Sequence, residues 1–125
     1  MQSHMVNQDF ILECRKRLLL MKDDLLNRLR SSRLDLTAHD KMMGDEVDQS
    51  VAQMTEDQFA SQQSRTRQQL LEIEFALSRI QKGTYGICEE TLEPIEIERL
   101  LAIPYTRLSI EGAEIRDALK TRFAR

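Results

Sequence analysis

The chain has no tryptophan and aromatic residues make up 5% of it, which excludes a large globular core built on bulky rings. Glycine and proline are also scarce, numbering four and two. Five of those six breakers fall between Gly83 and Gly112, so the preceding stretch is almost free of interruption and a boundary in composition lies near residue 83. No apolar run approaches the length of a membrane span, Leu18 to Met21 being among the longest. The N-terminus lacks a basic region followed by an apolar one, so no export signal is expected. Cys14 and Cys88, the two cysteines, then read as free thiols of a reducing cytoplasm. A basic surplus is missing as well. The net charge of −3 and pI near 5.4 speak against non-specific binding along a phosphate backbone, and sequence-specific DNA binding is not expected.

What the chain does contain is helix. Hydrophobic residues make up 41% and charged residues 31% of 125 positions, enough for one domain or one elongated element with a small domain attached. Ile11, Cys14, Leu18, Met21, Leu25 and Leu29 recur at steps of three and four, as do Leu70, Ile73, Leu77 and Ile80. Each set marks one face of a helix. The pattern breaks around His39 to Asp48, where Gly44 could end the first helix as a left-handed cap. Ile11 and Leu77, Leu18 and Leu70, Leu29 and Phe59, and Leu34 and Met54 are symmetric about Gly44, as the two arms of an antiparallel hairpin would require, although Leu25 would then face Gln63. Arms of roughly 33 residues would make a rod on the order of 50 Å long. The expected organisation is residues 1–6 as a tag remnant (Ser3-His4-Met5), residues 7–82 as a coiled-coil hairpin with its tip near 40–50, and residues 83–125 as a small domain ending in a helix. The fold class is thus mainly α.

Within the small domain, Cys88, Thr91, Ser109 and Gly112 have the spacing of a four-cysteine zinc knuckle, two pairs each separated by two residues, yet one of the four is cysteine. Zinc in structural sites takes four ligands, mostly thiolate or imidazole. Two neutral hydroxyls and a glycine are poor substitutes, His39 is expected near the tip, and Cys14 suits the apolar seam of the hairpin as a small hydrophobe. The expectation from these residues is a domain without zinc and without any other cofactor, held by Tyr85, Ile87, Ile95, Ile97, Leu100, Leu101, Ile103 and Leu108, with Ile115, Leu119 and Phe123 joining from the last helix. Ser109 is placed to cap that helix, with Glu111 in its first turn.

The segment from Lys82 through Gly83-Thr84-Tyr85-Gly86-Ile87-Cys88-Glu89-Glu90-Thr91 and Pro94 to Leu108-Ser109-Ile110-Glu111-Gly112 resembles the knuckle and following helix of the DksA/TraR family, bacterial proteins that bind RNA polymerase. The resemblance extends over nearly the whole chain, because that family also carries a long hairpin ahead of its knuckle. It implies a transcription regulator whose partner is the polymerase core. The family's hairpin tip bears an Asp-x-x-Asp-x-Ala motif that reaches through the polymerase secondary channel toward the active centre. Asp45 and Asp48 match it and Ser50 stands for the alanine. From the residues alone, Asp45 and Asp48 suit a capping box at the start of the second helix equally well. Arg65 resembles a family arginine that contacts polymerase, and a solvated helix arginine is the plainer alternative. Members that answer the alarmone ppGpp in the stringent response carry basic residues where this chain has Glu72, Ile103 and Ala113, so the resemblance implies weak or absent synergy through that pocket.

No nucleophile paired with a base and no phosphate-binding glycine loop is present, so an enzyme is not expected. Two other functions fit parts of the pattern. A Gre-type cleavage factor would use Asp45 and Glu46 to bring a catalytic magnesium to the same channel. A homodimeric coiled-coil adaptor would explain the periodicity, whereas the regulator is expected to be a monomer. The polar run Ser61 to Gln69 suits a solvated arm better than a dimer seam.

Overall fold

The computed structural model describes residues 7–43 and 49–123, with side chains described outside 33–51. Four helices follow in order: α1 (Gln8–Met43), α2 (Gln49–Lys82), α3 (Ile97–Ala102) and α4 (Ile110–Phe123). The fold is mainly α, a long helical hairpin followed by a small domain and a C-terminal helix, and among the described residues its one β interaction is an isolated antiparallel bridge, Ile87 with Pro94. No helix among the described residues is long and apolar enough to cross a membrane.

Local chemistry sets the helix ends. Asn7 opens α1, its Oδ1 accepting the Phe10 amide at 2.8 Å, which satisfies one of the amides a helix N-terminus leaves free. At the other boundary, Gly83 takes φ +82. There its N–H donates to Ile80 O at 3.2 Å while Thr84 N–H donates to Arg79 O at 2.9 Å. That pair of bonds is a Schellman closure, which a side chain at Gly83 would strain. Helix α2 therefore stops at Lys82, where the sequence places its boundary. Gly44, the cap expected for α1, lies outside the described residues.

The molecule divides into two compact units, one formed by residues up to 19 together with those from 72 onward, the other by residues 20–71. In the first, Cys14, Leu18, Ile73, Ala76, Tyr85, Cys88, Ile95 and Leu100 are buried. Burying a leucine or isoleucine of this kind contributes roughly 1.5–3 kcal/mol. Cys14 and Leu18 from α1 and Ile73 from α2 fall on the expected seams, and Cys14 is the inert packed thiol its position suggests. Burial raises its pKa. Ala76, equally buried, was not expected. Tyr85 ties the knuckle to the loop after α3, its hydroxyl donating to Pro104 O at 2.7 Å.

Two parts of the expected packing are corrected. Ile115, Leu119 and Phe123 do not join a core: they are exposed, Phe123 at 76%. Helix α4 is instead held by Gly112, which is buried, and by Arg116, which donates to Glu90 at 2.9 Å. Leu101 likewise stands in solvent and leaves Leu100 as the buried residue of α3. In the second unit, Leu25 and Gln63 are the buried residues among those described. An amide is thus buried at a position of the second arm where an apolar residue would be usual. No buried side-chain nitrogen or oxygen among the described residues lacks a hydrogen-bond partner. Leu29 and Phe59, paired by symmetry about Gly44, line one groove, whereas Met54 is exposed and the side chain of Leu34 lies outside the described residues.

Candidate functional site

The four knuckle positions come together around a single sulfur. Gly86 takes φ +87 and leads the chain into the bridge between Ile87 and Pro94. The turn closes through Cys88 N–H to Glu93 O and Ile95 N–H to Gly86 O, both 2.8 Å. Its tightest residue is Leu92, which has φ +63 and is well exposed, so a branched side chain sits in backbone geometry that favours glycine. Cys88 is fully buried inside this turn. Thr91 N–H donates to its Sγ at 3.4 Å. Burial pushes the thiol pKa up, but the Ser109 and Thr91 hydroxyls and backbone amides favour the thiolate more strongly and bring it down to about 6.

Ser109 works twice. Besides facing the sulfur, its Oγ accepts the Gly112 amide at 3.0 Å and caps α4 as expected. A β-carbon at Gly112 would collide with Cys88 Sγ. The sulfur thus fills the space that a side chain at the fourth position would need.

Beside this turn lies a charged network. Arg107 reaches Glu72 Oε1 with Nη2 at 2.9 Å and Nε at 3.2 Å, approaches Glu89 at 3.7 Å, and lies 5.3 Å from the centre of the Phe75 ring. Arg116 bridges Glu89 and Glu90. Of the three positions that the resemblance set against basic residues, Glu72 is half-buried and engaged with Arg107, Ile103 N–H closes α3 on Arg99 O at 2.7 Å, and Ala113 lies in the first turn of α4, its amide bonded to Ser109 O at 2.8 Å. None of the three carries positive charge. The interactions of Glu72 were beyond sequence reasoning, because its partner is 35 residues away. Arg65 is exposed on α2. Ser50 falls in the first turn of α2 with its side chain outside the described residues, and Asp45 and Asp48 lie outside them altogether.

Comparison with known proteins decides the family. The chain is 31% identical over 100 residues to the RNA polymerase-binding transcription factor DksA of Caulobacter vibrioides, a match spanning 80% of this chain and 70% of that protein. The chain belongs to the DksA/TraR family. This is a family of transcription regulators and not of enzymes. An uncharacterized protein of Aquifex aeolicus is 34% identical over 87% of this chain and 77% of its own length. Among solved structures, transcription factor DksA2 from Pseudomonas aeruginosa superposes with a TM-score of 0.83 at 27% identity, covering 96% of this chain and 91% of that one. General stress protein 16O of Bacillus subtilis is 45% identical over 56 residues, and the match spans 34% of that protein.

Residues 83–117 match the family model of the prokaryotic dksA/traR C4-type zinc finger. This corrects the expectation of a domain outside zinc chemistry, since zinc binding is what that match implies. The expectation weighed four ligand identities, whereas the match rests on 35 residues of turn, bridge and cap that surround them. Those four positions nevertheless do not supply a C4 ligand set: Cys88 offers a thiolate, Thr91 and Ser109 offer hydroxyls, and Gly112 offers none. Among the described residues no group of three or more His, Cys, Asp or Glu side chains is placed to hold a metal ion.

Proposed function

We propose that this chain is a monomeric cytoplasmic transcription regulator that binds RNA polymerase core and inserts the tip of its hairpin through the secondary channel. One observation carries this reading: the 31% identity to an RNA polymerase-binding transcription factor across 80% of the chain. The fold it shares with DksA2 supports the same role. The small domain docks at the channel rim, Arg65 contacts the polymerase along the arm, and Asp45, Asp48 and Ser50 act near the active centre to change the lifetime of promoter complexes. Asp45 and Asp48 would bring negative charge to a site where nucleic acid and metal ions meet, and charge there acts over several ångströms because little water screens it.

The regulator works with little help from ppGpp. Glu72 repels phosphate and is already paired with Arg107, while Ile103 and Ala113 provide no charge-assisted hydrogen bond. The test is a pull-down of polymerase core by the purified chain in the absence of promoter DNA, followed by open-complex decay with and without ppGpp. Retention of the core and a changed decay that ppGpp leaves nearly alone are the expected results. Failure to retain the core overturns the reading, and full ppGpp enhancement overturns the account of Glu72, Ile103 and Ala113.

A further inference from the structure

The net charge of −3 conceals a strong local segregation. From Leu25 to Leu34 and from Gln58 to Leu71 the sequence contains Arg28, Arg30, Arg33, Arg65 and Arg67 and neither Asp nor Glu. Both stretches belong to the unit formed by residues 20–71. Arg28 pairs with Asp24 at 2.8 Å on the exposed surface, a contact worth little in water. Among the described residues, Arg30, Arg65 and Arg67 form no ion pair, and the carboxylates nearest in sequence, Asp24, Asp57 and Glu72, lie at the borders of the band.

Two grooves open in this band. The first, about 430 Å3, runs between the helices and is lined by Arg28, Ser32, Phe59, Gln62, Arg65 and Thr66. The second, about 520 Å3, lies along α2 and is lined by Phe59, Ser64, Arg67 and Gln68. Phe59 borders both and is half-buried, so part of an aromatic surface is presented beside guanidinium, amide and hydroxyl groups. None of the large apolar residues described between Leu25 and Ser32 or between Gln58 and Leu70 is exposed, and Leu71 at the edge is the first that is. Leu71 also lines the second groove, so the band offers one exposed aliphatic side chain against several cationic and polar ones. Guanidinium groups match phosphates, amides and hydroxyls match sugars and base edges, and a ring in a groove can stack on an unpaired base.

We propose that the basic band formed by Arg28, Arg30, Arg65 and Arg67 around Phe59 binds single-stranded RNA without sequence preference, its phosphates held by the arginines and one base against Phe59. The site shares Arg65 with the polymerase reading above, and oligouridine binding by the chain alone tests it apart from that reading. It refines the inference drawn from whole-chain charge, because a polyanion responds to the charge it meets locally.

Fluorescence anisotropy of a labelled oligouridine titrated with the full chain at rising salt tests the proposal. Binding is expected, and it weakens with salt. In the double variant R65A/R67A the slope of log affinity against log salt falls by about 1.4, at roughly 0.7 for each single-strand phosphate that is no longer neutralised, while R65K/R67K keeps most of the slope. Phe59→Leu weakens binding about tenfold and leaves the slope unchanged, as removal of a stacking ring should. Arg15→Ala, an exposed arginine outside the band, changes neither. Circular dichroism confirms that each variant stays helical, and R65K/R67K serves as the folded comparison if R65A/R67A does not. The proposal is overturned if oligouridine does not bind, if R65A/R67A binds like the parent, or if Arg15→Ala weakens binding equally. It is also overturned if oligouridine fails while polyglutamate binds, a result that would assign the band to an acidic protein surface.

Discussion

At the scale of single residues, Cys88 and Gly112 form one packing unit although 24 positions of sequence separate them. The spacing of the four knuckle positions was legible, and so was the role of Ser109 as a cap, because both depend on local offsets. The reason for glycine at position 112 was not, since it lies in the place taken by a sulfur from another turn. Gly112→Ala should therefore destabilise the chain despite alanine's better helix propensity. Overpacking costs about 1–3 kcal/mol and the propensity gain returns about 1 kcal/mol, leaving a net loss of about 1 kcal/mol in urea unfolding. Removing the obstruction should reverse the sign of that effect: in a Cys88→Ala background, Gly112→Ala becomes neutral or stabilising. Equal costs in both backgrounds would show that the sulfur does not fill the site.

At the scale of elements, helix periodicity predicted the faces of α1 and α2, and Gly83 predicted where α2 ends. Ala76 escaped because a pattern of large apolar residues passes over a small one. The face of α4 was misjudged for the opposite reason: Ile115, Leu119 and Phe123 have core-like spacing, but the helix is held by a glycine contact and an arginine network that spacing does not encode. The same limitation hid the bond between Glu72 and Arg107, which joins α2 to the loop before α4. Both side chains are largely shielded, at 25% and 29% exposure, so separating them leaves an incompletely solvated charge. Glu72→Lys should cost about 1–2 kcal/mol in chemical unfolding by opposing two cations. The exchange Glu72→Lys with Arg107→Glu should recover part of that loss. Recovery stays incomplete because Arg107 also faces Glu89 and the Phe75 ring, and an acid at position 107 can hold neither. No recovery at all would mean that the pair contributes nothing beyond its other neighbours.

For the whole molecule, the distribution of charge matters more than its total. The acidic run Asp45-Glu46-Val47-Asp48 and the arginine-bearing stretches near the middle of the hairpin occupy separate parts of the sequence, and a net of −3 averages them away. Such separation suits a protein that uses one region to stay bound and another to act. On the proposed function, this acidic run is expected to influence function without providing the main affinity, since exposed charges contribute little binding energy individually but alter the potential at a confined site strongly. Asp48→Asn removes charge while keeping shape. Polymerase core should be retained on the variant as on the parent chain, and most of the change in open-complex lifetime should be lost. The two readouts separate the roles cleanly: if retention and effect fall together, Asp48 supports docking or folding, whereas loss of the effect alone places its action after binding. Raising the salt concentration provides an internal check, because it should weaken retention of parent and variant alike if affinity comes from elsewhere on the chain, and should narrow the gap between them if the tip itself contributes to binding.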